Sequence, residues 1–201
     1  MILESTDFYT RLSKSLLPKD YRNKLLDLMR RSNHENKIYC KKNKKYNMIH
    51  NASDRLIKNS ISSDYFLLSM EEILIDDPKY LSMFTGLLDF LNLSSDNVVK
   101  IIIVTFLPDN KGNVKPHIDE FPGCAINIPL DSIKNPIIWV DDNDKPIKKY
   151  FYDDYPTLIE TEKKHTVEEL GDDKRVFARI VLNISYPDII KNLGEINAKK
   201  I

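Results

Sequence analysis

From Asn97 onward the chain is a succession of short runs rich in Ile, Val, Tyr and Phe, cut by clusters of Asp, Asn, Gly and Pro. Such runs read as strands and turns, and about eight can be marked. They are Val98 to Leu107, Val114 to Asp119, Cys124 to Leu130, Pro136 to Val140, Ile147 to Tyr152, Thr157 to Thr161, His165 to Glu168 and Lys174 to Tyr186. A series of this kind with no helix between its members leaves few architectures open. It favours a double-sheet jelly roll whose two sheets enclose a pocket between their inner faces.

The amino-terminal part has another texture. Residues 1–95 read mainly as helix, with Tyr21, Leu25, Leu28 and Met29 at helical spacing within Asp20 to Arg30. Asp77-Pro78 is a start signal for a second helix through Leu93, in which Tyr80, Leu81, Phe84, Leu87, Leu88 and Leu91 form one broad apolar face with Gly86 inside it. Between them Asn36 to Asn51 reads as a loop, dense in lysine at Lys41, Lys42, Lys44 and Lys45. The expected class is α+β, a jelly-roll core over 96–201 braced from outside by a helical extension over 1–95. Together they make one compact unit, as 201 residues allow.

Composition narrows the partners. Lysine and arginine number 30, as do aspartate and glutamate, so no global basic excess marks a nucleic-acid binder. The lysine cluster with Tyr39 and Tyr46 beside it can still contact phosphates and stack bases, which keeps a nucleic-acid substrate as the lesser alternative to a small metabolite or a protein side chain. Cys40 and Cys124 are far apart and in no metal-binding spacing, which fits a reducing compartment. The most apolar run, Val98 to Leu107, is too short to span a bilayer and contains Lys100, and no export signal is visible at the amino terminus. The expected location is the cytoplasm, with no membrane involvement.

Chemistry concentrates around His117-Ile118-Asp119. In a strand, residues two apart project to the same side, so this spacing lets a histidine and a carboxylate grip one ion while Ile118 points away. His165, forty-six residues beyond Asp119 in a strand-like setting, supplies a second imidazole. Two histidines and one carboxylate on one face of an octahedral ion leave positions open, the arrangement of non-haem iron(II) oxygenases. With ferrous iron the site carries a net charge of about plus one, which suits an anionic co-substrate. His34 and His50 have no such company and read as surface residues.

Downstream, Arg175 and Arg179 are four apart and share a strand face, so either can clamp a carboxylate through two charge-assisted hydrogen bonds. The other is expected to form an ion pair with an acidic neighbour such as Asp172 or Asp173. Asn127 lies within an apolar strand, where its amide must find partners in a bound carboxylate, a substrate or the backbone near Pro129. Trp139, Tyr150, Phe151 and Tyr152 read as core or wall aromatics.

These residues resemble the 2-oxoglutarate and iron(II)-dependent dioxygenase superfamily over about residues 98 to 187. Pro116-His117-Ile118-Asp119 and Asn127-Ile128-Pro129-Leu130 look like the first half of its double-stranded β-helix, and Lys164-His165-Thr166-Val167 with Arg179 through Tyr186 like the second. The resemblance implies that His117, Asp119 and His165 bind Fe(II), that Arg175 or Arg179 binds the distal carboxylate of 2-oxoglutarate, and that the chain uses O2 to hydroxylate a C-H bond. Many prolyl-hydroxylase-like members carry a tyrosine where this chain has Phe106, and Asn127 is the substitute donor. A non-catalytic, cupin-like jelly roll that binds a metal or small ligand is the alternative.

Overall fold

The structure, a computed structural model, describes residues 1–35, 41–43, 46–48, 70–106, 114–119, 123–131, 135–167 and 175–198. The chain opens with a hairpin of β1 (Ile2–Ser5) and β2 (Tyr9–Leu12), followed by α1 (Tyr21–Glu35). Then come β3 (Lys41–Asn43), β4 (Tyr46–Met48) and β5 (Met70–Leu74), and two short helices, α2 (Pro78–Leu81) and α3 (Thr85–Phe90). The strands β6 (Val98–Phe106), β7 (Val114–His117), β8 (Cys124–Pro129), β9 (Ile137–Val140) and β10 (Pro146–Tyr150) follow. Next are β11 (Thr157–Glu160), β12 (His165–Val167) and β13 (Arg175–Leu182), and α4 (Tyr186–Ala198) ends the series.

Seven strands form one sheet in the order β1-β2-β11-β8-β13-β6-β5, and four form a second in the order β10-β9-β12-β7. From β6 to β13 the chain crosses between the sheets at every step except the β9–β10 hairpin, and neighbouring strands are antiparallel. This winding is the double-stranded β-helix: two facing sheets, not a closed barrel.

Side-chain alternation explains why the larger sheet is covered on both faces. Along β13, Val176, Ala178, Ile180 and Leu182 join a cluster with residues of the helices, whereas Phe177 packs between the sheets. On β6, Ile101 and Ile103 face the helices while Ile102 and Val104 face inward. The helical layer contributes Leu25, Phe84, Leu87 and Leu91, none with exposed surface, each contributing roughly 1.5–3 kcal/mol by burial. Between the sheets Trp139 is fully buried, and its indole N–H donates to the Glu160 carbonyl at 2.8 Å. Tyr9, Tyr150 and Tyr152 complete this inner aromatic wall, while Phe151 points to solvent at 62% exposure. Arg175 and Arg179 follow Phe177 by period two, so both face inward.

The amino-terminal part is less helical than its composition suggests. Strands β1, β2 and β5 extend the larger sheet, because Tyr9 and Leu12 each find a buried place on opposite faces of it. The backbone of the lysine-rich segment pairs as the β3–β4 hairpin where a loop is expected, while 36–40, 44–45 and 49–69 lie outside the described residues. Asp77 caps α2 by accepting from the Lys79 N–H, as its position before Pro78 predicts. The helix expected to continue to Leu93 is broken by a 3-10 turn at Ser82–Phe84. Gly86 in α3 serves close approach: a Cβ there would lie 2.9 Å from the Leu16 carbonyl oxygen.

Two other boundaries move. Strand β7 ends at His117, so Ile118 and Asp119 follow it instead of lying within it. The last strand stops at Leu182, and the expected strand end at Tyr186 is the first turn of α4. Ser185 caps that helix, accepting from the Asp188 N–H and donating to its carboxylate. Among the described residues no helix is long and apolar enough to cross a membrane.

Candidate metal centre

His117, Asp119 and His165 converge at one end of the smaller sheet. Pairing of β7 with β12 puts His117 opposite His165, and the Asp119 N–H reaches the Thr161 carbonyl at 3.2 Å just beyond the strand end. Ile118 turns outward, 57% exposed. The three residues do come together, but Asp119 is aimed by a loop hydrogen bond rather than by strand alternation.

The geometry is compact. Asp119 Oδ1 lies 3.3 Å from His117 Nε2 and 3.7 Å from His165 Nε2, and one ligand atom from each residue falls within 4.8 Å of the others. His165 Nδ1 lies 2.9 Å from the Lys163 carbonyl, which can only accept, so the proton sits on Nδ1 and Nε2 presents its lone pair. Burial pushes the His165 imidazolium down to about 4, keeping the ring neutral and ready to ligate. Burial alone would raise the Asp119 carboxyl, but the Arg179 guanidinium, the His117 hydrogen bond and the neighbouring histidines outweigh it. They hold that carboxyl well below the usual carboxylate range. Two imidazoles and a carboxylate around one point fit a divalent cation such as Fe(II).

The two arginines separate here. Arg179 donates through Nη2 to Asp119 Oδ2, so it belongs to the metal carboxylate. No described acidic neighbour on its own strand takes that place, and Asp172 and Asp173 lie outside the described residues. Arg175, 3% exposed, lies with its guanidinium 4.9 Å from the Tyr152 ring centre and 5.2 Å from that of Phe177. Burial pushes its guanidinium below the usual range. Asn127, directly across from Arg179, donates to the Tyr152 hydroxyl at 2.7 Å, and its buried Oδ1 has no hydrogen-bond partner. Amide N and O positions interchange readily, so Asn127 can offer an inward donor or acceptor to a bound group. A buried guanidinium beside a phenol that also takes an amide hydrogen bond is a setting that can receive a carboxylate.

Sequence reasoning missed Tyr152 as a polar partner, treating it as wall. Phe106 pairs with Arg175 at the end of β6. His34 belongs to α1, and His50 lies outside the described residues.

Fold and site together define a double-stranded β-helix protein with a His-X-Asp…His cluster at the open end of its inner face. No family model matches the chain, and no curated protein matches it. Among solved structures it is similar to a prolyl-4-hydroxylase from Pseudomonas putida, at 11% identity over 88% of this chain and 93% of the other, with a TM-score of 0.49. It is also similar to the non-haem alpha-ketoglutarate-dependent epimerase SnoN from nogalamycin biosynthesis, at 10% identity over 87% and 76%, TM-score 0.49. A cupin-like protein from Thermotoga maritima matches at 14% identity over 58% and 69%, TM-score 0.32. The chemistry of the site rests on its own residues.

Proposed function

We propose that this protein is an iron(II)- and 2-oxoglutarate-dependent oxygenase that hydroxylates a C-H bond of a small metabolite or a protein side chain. The observation that carries the reading is the convergence of His117, Asp119 and His165, with ligand atoms within 4.8 Å, on a jelly roll whose inner face also holds a buried arginine. When bound, ferrous iron with 2-oxoglutarate supplies oxidation by O2, coupled to conversion of the co-substrate to succinate and carbon dioxide.

The chain's own residues prepare that chemistry. His117, Asp119 and His165 would hold the ion from one side and leave its other side to the co-substrate. Arg175 meets the distal carboxylate, with Tyr152 holding the guanidinium by its ring and hydroxyl. Asn127 adds the polar contact that Phe106 lacks. The buried wall of Tyr9, Trp139, Tyr150 and Phe177 excludes water and strengthens each of these contacts. Asp119 retains its carboxylate, so hydroxylation is favoured over halogenation. The lysine-rich hairpin bears on a nucleic-acid substrate only through side chains outside the described residues.

Anaerobic titration of ferrous protein with 2-oxoglutarate tests this reading. A weak visible charge-transfer band should appear in the wild type and be lost in His165→Ala. Iron-loaded, folded wild type that shows no band would instead be the non-catalytic, cupin-like metal-binding jelly roll.

A further inference from the structure

Arg179 has a more specific role than its sequence position suggests. On the inner face it stands four residues after Arg175, which at about 3.3 Å per residue separates their backbones by roughly 13 Å. Its guanidinium does not turn toward Arg175's aromatic niche but closes on Asp119 Oδ2, sixty residues earlier in the chain. The other oxygen, Oδ1, is the one that faces both imidazoles. Only the two oxygens of one carboxylate are involved, and they are divided cleanly between guanidinium and histidines.

We propose that Arg179 is a positioning residue that makes Asp119 a one-oxygen ligand, keeping three coordination positions open on the bound cation. The inference rests on the metal-centre reading above. A carboxylate free to rotate can present both oxygens, and a two-oxygen grip would leave only two positions on an octahedral ion. A 2-oxo acid chelate and dioxygen together need three. Arg179 removes that option by engaging Oδ2 before the cation arrives. As a cation beside the site it also opposes metal loading, an effect read in affinity, whereas the positioning effect is read in the geometry of the ligands.

Cobalt(II) serves as the probe, because its visible d–d absorption reports ligand geometry without turnover and a two-oxygen carboxylate, with its narrow bite, distorts the octahedron. Wild type, Arg179→Met, which keeps length but loses the donor and charge, and Arg179→Lys, which keeps a donor and the charge, are titrated with Co(II). Near-ultraviolet circular dichroism of the metal-free proteins checks folding. The expected result is a shifted d–d spectrum in Arg179→Met and recovery of the wild-type spectrum in Arg179→Lys. A wild-type spectrum in Arg179→Met, whatever its Co(II) affinity, would make Arg179 a counter-charge only and overturn the proposal. If Arg179→Met does not fold, Arg179→Gln reads the same two outcomes. Failure of wild type to bind Co(II) at all would instead remove the metal-centre reading on which the inference stands.

Discussion

His165 stands directly opposite His117 across the antiparallel pair of β7 and β12, with ring centres 4.4 Å apart. One hydrogen-bonding register thus brings together two imidazoles separated by forty-eight positions in the chain, and the loop after β7 adds a carboxylate.

Loss of either ring should therefore dismantle the site without unfolding the protein. His117→Ala and His165→Ala are expected to weaken Fe(II) or Co(II) binding at least about tenfold, and chelator treatment of the wild type should return it to the same metal-free state. Isothermal titration with Co(II) checks this, and full affinity in both variants would remove these residues from the ligand set.

Acid should destabilise the metal-free protein through His165. Its imidazolium is pushed from the ordinary 6.5 down to about 4, so between those values the unfolded chain binds a proton that the folded chain refuses. Stability contributed this way is complete above pH 6.5 and is lost as pH falls toward 4, with a slope of up to about 1.4 kcal/mol per pH unit. Urea unfolding at pH 7.5 and 4.5 should show a smaller loss in His165→Phe than in the wild type. The comparison cancels Glu160, whose carboxyl burial pushes upward and whose contribution has the opposite sign. Equal losses in the two proteins would contradict it.

Arg175→Met should spare the metal and lose the co-substrate. Two charge-assisted hydrogen bonds to a carboxylate are worth roughly 1.5–3 kcal/mol each, so 2-oxoglutarate affinity is expected to fall by about 100-fold or more. The charge-transfer titration measures it at unchanged Co(II) affinity. Retention of the band at wild-type concentrations would show that the distal carboxylate is held elsewhere.

Gly123, at the entrance to β8, should not tolerate a side chain. Its φ is +151°, and a Cβ would lie 2.1 Å from the Leu182 carbonyl oxygen. Gly123→Ala is expected to cost about 3 kcal/mol or more. A urea midpoint within experimental error of the wild type would refute that expectation. Gly194, with nothing near its Cβ position, is the control site for replacement by alanine.

Strands β6 to β13 were legible because each is a short β-rich run between turn residues, and the metal residues because they are rare types at a telling separation. Less was legible where local pattern and long-range contact disagree. Tyr9-Thr10-Arg11-Leu12 is too short to announce a strand, and it becomes one by pairing with Leu158, 148 positions later. The β-branched run of β13 flows into Ser185-Tyr186-Pro187-Asp188, whose helix-capping signal is easily read as more strand. Nor can a sequence distinguish Arg175 from Arg179, which share a face. Only the position of Asp119 separates them.

The placement of β13 has a consequence for how the protein is made. It sits between β8 and β6, which are not paired with each other, and it is synthesised after both. Until residues 175–182 emerge, β6 and β8 each expose an unpaired edge. Nascent chains stalled before that point carry open strand edges, the feature that drives aggregation, so completion of the larger sheet waits on β13.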